Sequence, residues 1–174
     1  MLARLTMALA TVFLLNGGAS AQDAAKLTDP QISHIAYSAG EIDINAAKQA
    51  MSHSKNKVVR AFAEQMIRDH MAVNKKLLAL SEKLQMPLEE NDTSLSLAKQ
   101  AKDKYADLGK MRDGDFDRAY MENEVAYHKM VNGSLADTLI PSASNAELKS
   151  FLQTGLTLFQ GHEQHAEKVL SELK

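Results

Sequence analysis

Apolar side chains recur at intervals of three and four residues along four long stretches of this chain. The clearest series runs through Val59, Phe62, Met66, His70, Val73, Leu77, Leu80 and Leu84. Because this spacing places side chains on one face of an α-helix, it predicts a helix over residues 57–85. The same spacing predicts three more long helices, over residues 30–52, 115–140 and 146–173.

Proline residues and capping residues mark where these helices begin and end. The three prolines all lie at predicted boundaries: Pro30, Pro87 and Pro141. Asp29 directly precedes the first of them, so we expect Asp29 to cap the first helix. Thr93 or Ser94 is expected to cap a shorter helix over residues 95–111.

The lengths of the connections indicate how the helices are arranged. Residues 52–56 and 141–145 form tight turns, whereas the much longer segment 86–114 separates the second long helix from the third. Two antiparallel hairpins joined by a long crossover form the ferritin-like kind of four-helix bundle. We therefore predict an all-α, ferritin-like four-helix bundle with a short extra helix in the crossover.

The first residues of the chain predict export. An apolar run covers residues 5–15, and Ala19-Ser20-Ala21 supplies the small side chains that signal peptidase requires. The run is too short to cross a bilayer as a helix. We predict that residues 1–21 are a signal peptide, cleaved after Ala21. Residues 22–174 then form a single helical-bundle domain, periplasmic or secreted, without a membrane span.

Charge and cysteine content narrow the classes of function. The formal net charge is −2, and loss of Arg4 with the signal peptide would make it one unit more negative. This balance argues against nucleic acid as a partner. The sequence contains no cysteine. Disulfides, thiolate metal ligands and cysteine nucleophiles are therefore excluded.

Two histidines interrupt the apolar series where a leucine would be expected. His70 lies in the series of the second long helix, and His162 lies in that of the fourth. A polar side chain in a core must be hydrogen-bonded or coordinated, because leaving it unpaired costs about 1–3 kcal/mol. Counting residues from the two tight turns places Glu41, Glu124 and His128 at nearly the same height. Imidazole and carboxylate groups from facing helices suit a single ion of Zn, Fe, Mn or Cu.

Two further residues are candidates to support this site. Asp69, next to His70, would either orient that imidazole or face water. His165, three residues after His162, would either join the site or lie exposed at its rim. A competing hypothesis is a buried hydrogen-bond network without metal, in which the polar side chains serve only to specify the packing.

Several short motifs are informative as an ordered set. They are Ala39-Gly40-Glu41-Ile42, Phe62-Ala63 with Met66 and Asp69-His70, Phe116-Asp117 with Tyr120, His128, and Leu156, Phe159, His162 and Ala166. This set resembles the bacterial domain of unknown function 4142 family, whose members are exported and classed as ferritin-like. The resemblance covers nearly all of the chain after the signal peptide, and implies a helical bundle without an established activity. It also implies that Glu41, His70, His128 and His162 match recurrent family positions.

The chain departs from the di-iron members of the ferritin-like group. Those proteins place Glu-x-x-His on two helices. Here the residues three positions before His70 and His162 are Ile67 and Phe159, which cannot bind iron. The sequence therefore favours a mononuclear site, or a polar core without metal, over a di-iron centre.

No catalytic motif is complete in the sequence, so an enzymatic role is not favoured. The sequence predicts an exported bundle that binds a transition metal in metal handling or stress. The alternative is a non-catalytic structural or interaction protein of the cell envelope, whose partner is an envelope protein or a second copy of the chain.

Overall fold

The computed structural model describes residues 26–173, so the predicted signal peptide lies outside the described residues. Within them the chain is all helical, which confirms the predicted class. The helices are α1 (Asp29–His53), α2 (Lys57–Lys83), α3 (Asp92–Leu108), α4 (Asp113–Ser134), α5 (Ile140–Ser142) and α6 (Ala146–Glu172), with a π-helical turn at Leu135–Leu139 between α4 and α5. None of these helices is long and apolar enough to cross a membrane.

Thr28, and not Asp29, caps the first helix, so the predicted N-cap was wrong. Thr28 and Gln31 form a reciprocal capping box, in which each side chain accepts a hydrogen bond from the other residue's backbone N–H. The Asp29 carboxylate accepts hydrogen bonds of 2.8 Å from the backbone N–H groups of Ser144 and Asn145. Asp29 therefore ties the start of α1 to the turn before α6.

The end of α2 and the start of α3 also differ from the predicted boundaries. Helix α2 ends at Lys83, two residues early, because Gln85 adopts a φ of 51° and cannot continue a right-handed helix. Helix α3 begins at Asp92, earlier than predicted, because the side chain of Asn91 caps it by accepting a hydrogen bond from the N–H of Ser94.

The predicted continuous helix over residues 115–140 is interrupted near its end. The N–H of Ile140 bonds to the carbonyl of Leu135, five residues earlier, which is the π-helical spacing. Pro141 follows directly. Its ring lacks an N–H and would clash with the carbonyl four residues before it in a regular α-helix. Widening the preceding turn relieves this clash and allows the helix to reach α5.

The α1–α2 turn and the α5–α6 turn lie at opposite ends of the bundle, and each end has its own apolar core. Cluster 1 combines both sides of the α1–α2 turn with the start of α4 and the end of α6; it includes Ala50, Val59, Phe62, Phe116 and Val169. Cluster 2 combines the start of α1 and the end of α2 with both sides of the α5–α6 turn; it includes Ile32, Leu77, Leu139, Leu148 and Leu152.

A layer of buried polar side chains separates the two clusters. It draws one or two residues from each of the four long helices: Asp43, His70, Glu124, His128 and His162. Each is at most 3% exposed. Because polar groups in such a position lose their hydration, the bundle must satisfy them from within.

Candidate metal centre

Asp43 of α1 lies at the centre of the polar layer. Its Oδ2 atom is 3.2 Å from Nε2 of His70 and 3.3 Å from Nε2 of His128. Both carboxylate oxygens of Asp43 and both of these nitrogens are buried without a partner in hydrogen-bond geometry. The three residues therefore approach closely without forming regular hydrogen bonds to one another.

Five side chains form two overlapping groups of closely spaced ligand atoms. His70, His128 and His162 each offer one nitrogen, and these nitrogens all lie within 4.8 Å of one another. Asp43, Glu124 and His128 form a second group within the same limit. Glu124 and His128 share one face of α4 because they are four residues apart.

Hydrogen bonds fix which nitrogen of two histidines keeps its lone pair. Nδ1 of His128 is 2.9 Å from the backbone carbonyl of Glu124, which can only accept, so Nδ1 carries the proton. Nε2 of His162 is 3.1 Å from Oδ2 of Asp69 and donates to it in the same way. The lone pairs of Nε2 in His128 and of Nδ1 in His162 are then free for a ligand.

Aromatic packing holds the third histidine in place. The ring of His70 stacks on Phe159 with centroids 4.7 Å apart and an angle of 11° between the planes. The imidazole centroids of His70, His128 and His162 lie 5.3–5.8 Å apart. Phe159 occupies the position at which a di-iron protein has a glutamate ligand. Here it provides a flat apolar surface on which the ring of His70 packs.

The two carboxyl groups of the layer have opposite pKa shifts. Burial raises the pKa of Asp43. The neighbouring His70 lowers it, with smaller contributions from His128 and His162, and together these histidines hold that pKa below its usual value. Burial raises the pKa of Glu124 well above its ordinary value, and the charge of Asp43 adds to this shift. In the metal-free protein these shifts favour the charged form of Asp43 and the protonated form of Glu124.

Two of the histidines are held in the neutral form. Burial lowers the pKa of His128, although Asp43 opposes the shift. Burial also lowers the pKa of His162, to about 4, with His70 and His128 adding to the effect and the hydrogen bond to Asp69 opposing it. Neutral imidazole is the form that coordinates a metal.

The structure does not bring Glu41 into the layer, contrary to the sequence prediction, and it places Asp43 there instead. Two residues along a helix are about 200° apart, so Glu41 and Asp43 cannot share a face. Glu41 accepts a hydrogen bond of 2.9 Å from the side chain of Asn74. Asp43 was missed because the apolar, half-buried Ile42 fits the helical spacing between Ala39 and Ala46 equally well. The signal that could have found it is that Asp43 lies four residues after Ala39 and three before Ala46, with helical spacing.

The two supporting candidates have different positions from those expected. Asp69 contacts His162 of α6, and not its neighbour His70, because adjacent residues of a helix point about 100° apart. His165 lies outside the layer. Its Nδ1 is 3.1 Å from the side-chain oxygen of Gln65, and its ring packs on the edge of Phe62 in cluster 1.

Comparison with known families agrees with the resemblance seen in the sequence. The family model described as domain of unknown function (DUF4142) matches residues 15–169. The chain belongs to the DUF4142 family. Comparison with curated proteins and with solved structures finds no match for this DUF4142 chain.

Acid should destabilise the metal-free DUF4142 chain partly through His162. This residue has a pKa of about 4 when folded, against 6.5 for the free side chain. Between these pH values the unfolded chain binds more protons, so stability is present above 6.5 and is lost as the pH falls toward 4. As the pH falls, we expect the free energy of unfolding to decrease more steeply in the wild type than in His162→Gln. The difference between the two slopes should correspond to the uptake of at most one proton on unfolding. Urea unfolding with a chelator present measures both slopes, and parallel curves would contradict the assignment.

Proposed function

We propose that this DUF4142 protein binds one divalent transition-metal ion in the polar layer. The ligands would be Nε2 of His70, Nε2 of His128, Nδ1 of His162 and a carboxylate oxygen of Asp43. Glu124 is the remaining carboxyl group within reach and would enter as a further ligand after losing its proton. Each of the four long helices contributes at least one ligand to this site.

The spacing of Asp43 from His70 and His128 is the observation that carries the proposal. Ligands of a tetrahedral zinc ion lie 2.0–2.1 Å from the metal, so neighbouring ligand atoms are about 3.3–3.4 Å apart. The distances of 3.2 and 3.3 Å from Asp43 to His70 and His128 fit this value. A network held together by hydrogen bonds would instead align donors and acceptors, which these three residues do not do.

The chemistry of the ligands indicates the class of metal. Three imidazole ligands favour Zn, Cu or Fe, whereas Mg and Ca prefer oxygen ligands. The carboxylates of Asp43 and Glu124 would also suit Mn. Among divalent ions the intrinsic order of affinity places Cu and Zn above Fe and Mn.

The route to the layer runs beneath the crossover helix α3. A cavity of about 130 Å³ lies between α1, α3 and α4, and its walls include Asp43, Glu124, Tyr105 and Tyr127. Asp43 and Glu124 are nonetheless 0% exposed, so an ion must wait for a local opening to reach them. Helix α3 is the weakest cover because it buries few of its own side chains.

The arrangement of the helices and the predicted location of the protein indicate a role for the bound metal. The hairpins α1–α2 and α4–α6, with their turns at opposite ends and α3 in the crossover, support a ferritin-like topology. We infer that the protein is exported, because residues 1–21 read as a signal peptide. A metal-binding bundle in that compartment would serve to hold or buffer a transition metal.

Two neighbouring carboxylates of α1 provide a matched pair of variants. We expect the purified wild type to bind one metal ion per chain. Asp43→Asn should weaken the affinity for Zn at least about 100-fold, because losing a direct ligand should cost more than losing a residue that only supports a ligand. Glu41→Gln should bind as the wild type does. Equilibrium dialysis with metal analysis measures both. His162→Gln and His165→Gln form the corresponding pair on α6.

Three results would contradict the metal proposal. They are the absence of stoichiometric metal after reconstitution, loss of binding in Glu41→Gln, and retention of binding in Asp43→Asn. A metal-free polar network predicts the first result, together with unchanged or higher thermal stability in His162→Leu.

Loosening α3 should speed metal exchange without changing affinity. The hydroxyl of Tyr105 donates a hydrogen bond to the backbone carbonyl of Ile42 and holds α3 against α1. Loss of a bond worth about 1 kcal/mol in Tyr105→Phe should raise the association and dissociation rates together, about fivefold. The dissociation constant should stay the same. Stopped-flow exchange with a chromogenic chelator measures the rates.

Tyr37→Phe is the control for this variant. Tyr37 is a half-buried tyrosine of α1 that packs against cluster 2. Its exchange rates should match those of the wild type. Unchanged rates in Tyr105→Phe, or a change in affinity alone, would exclude α3 as the gate.

A further inference from the structure

A second cavity, of about 240 Å³, lies within the half of the bundle that holds cluster 2. Residues from all four long helices and from the π-helical turn form its wall. Most of the deepest are apolar, and they include Ile35, Leu77, Leu135, Leu152 and Phe159; the equally buried Asn74 is the polar exception. None of the residues that line this cavity carries a charge.

Small side chains and the π-helical turn keep this cavity open. Ala36, Ala39 and Gly40 of α1 and Gly155 of α6 all line it. A Cβ atom added at Gly155 would meet only the ring of Phe159, at an ordinary contact distance of 3.6 Å. A larger residue would therefore fit there, and glycine leaves the space unfilled. Packed helices rarely leave a space of this size between them, and a largely apolar cleft of this kind is typical of a small-molecule site.

The cavity opens to solvent between α3 and the end of α4. Three of its lining residues are exposed at this mouth: Thr93, Met130 and Thr138. Two of them offer hydroxyl groups, which can donate or accept a hydrogen bond. The hydroxyl groups at the mouth, the amide of Asn74 and the mostly apolar depth together favour a largely apolar molecule with one small polar group.

We infer that this cavity binds a neutral, largely apolar small molecule with a single hydroxyl-like group. A cavity of about 150 Å³ holds benzene, so 240 Å³ accommodates about ten non-hydrogen atoms. A medium-chain alcohol or an alkylated phenol has this size and this single polar group. A charged head group finds no counter-ion in the wall.

Phe159 connects this ligand site to the polar layer. One face of its ring stacks on His70, and the residue also lines the cavity. A bound molecule would therefore contact the side chain that positions a candidate metal ligand. Binding of a small molecule in this cavity would not require a metal.

Binding can be tested on the full chain with a chelator present, so that failure of the metal proposal does not affect the result. The probe is 1-nonanol, which has ten non-hydrogen atoms, and nonanoate serves as the charged comparison. We expect saturable one-to-one binding of 1-nonanol by calorimetry, and binding of nonanoate at least about tenfold weaker.

Two glycines of the same helix provide the matched variants. Gly155→Leu should fill the cavity and abolish binding, whereas Gly161→Leu should keep it within about twofold. Gly161 is exposed, and an added Cβ atom would meet nothing within 4 Å. Both variants gain the same helix propensity, so their difference reports the cavity.

Methyl NMR of the wild type decides the question without a variant. Addition of 1-nonanol should shift the methyl signals of Leu135 and Leu152 in the cavity wall. Those of Leu108 and Val169 in cluster 1 should not move. The inference is overturned if binding does not saturate, if Gly155→Leu binds as well as the wild type, or if the shifts are spread evenly over both clusters.

Discussion

The buried carboxylate of Asp43 is the interaction on which the rest of the polar layer depends. It keeps its charge in a core that water does not reach, and a buried charge is costly unless it is paired. His70 and His128 approach it from α2 and α4, which fixes how these helices are aligned against α1. A bound cation would satisfy the carboxylate and the imidazole lone pairs together, because in its absence the atoms of Asp43, His70 and His128 that face one another have no hydrogen-bond partner.

Helical periodicity was sufficient to predict the class of fold and the number of long helices. It could not predict their ends, because these depend on local competition between capping groups and on contacts distant in sequence. Asp29 shows this: its carboxylate bonds to the turn before α6, and Thr28 caps the helix in its place. The π-helical turn before Pro141 escaped the same reasoning, because Leu135 and Leu139 keep the four-residue apolar spacing of a regular helix.

The sequence identified the histidines of the layer but not its central carboxylate. A histidine in a leucine series is conspicuous, whereas Asp43 lies beside Ile42, and either residue gives an acceptable helical series. Which one faces the core is decided by small rotations of α1 against its neighbours. Gly40 influences this packing: a Cβ atom there would lie 2.3 Å from the side-chain oxygen of Asn74, so only glycine allows Asn74 of α2 this close approach. Such contacts between two helices cannot be predicted from the sequence of one helix alone.

X-ray absorption at the zinc edge of the reconstituted protein tests the central claim most directly, because it counts the ligands that surround the metal. The account predicts four or five nitrogen and oxygen ligands at about 2.0–2.1 Å, with the outer-shell scattering of three imidazole rings. A spectrum that fits one imidazole or none, or six oxygen ligands typical of a hydrated ion, would contradict a metal centre built from His70, His128 and His162.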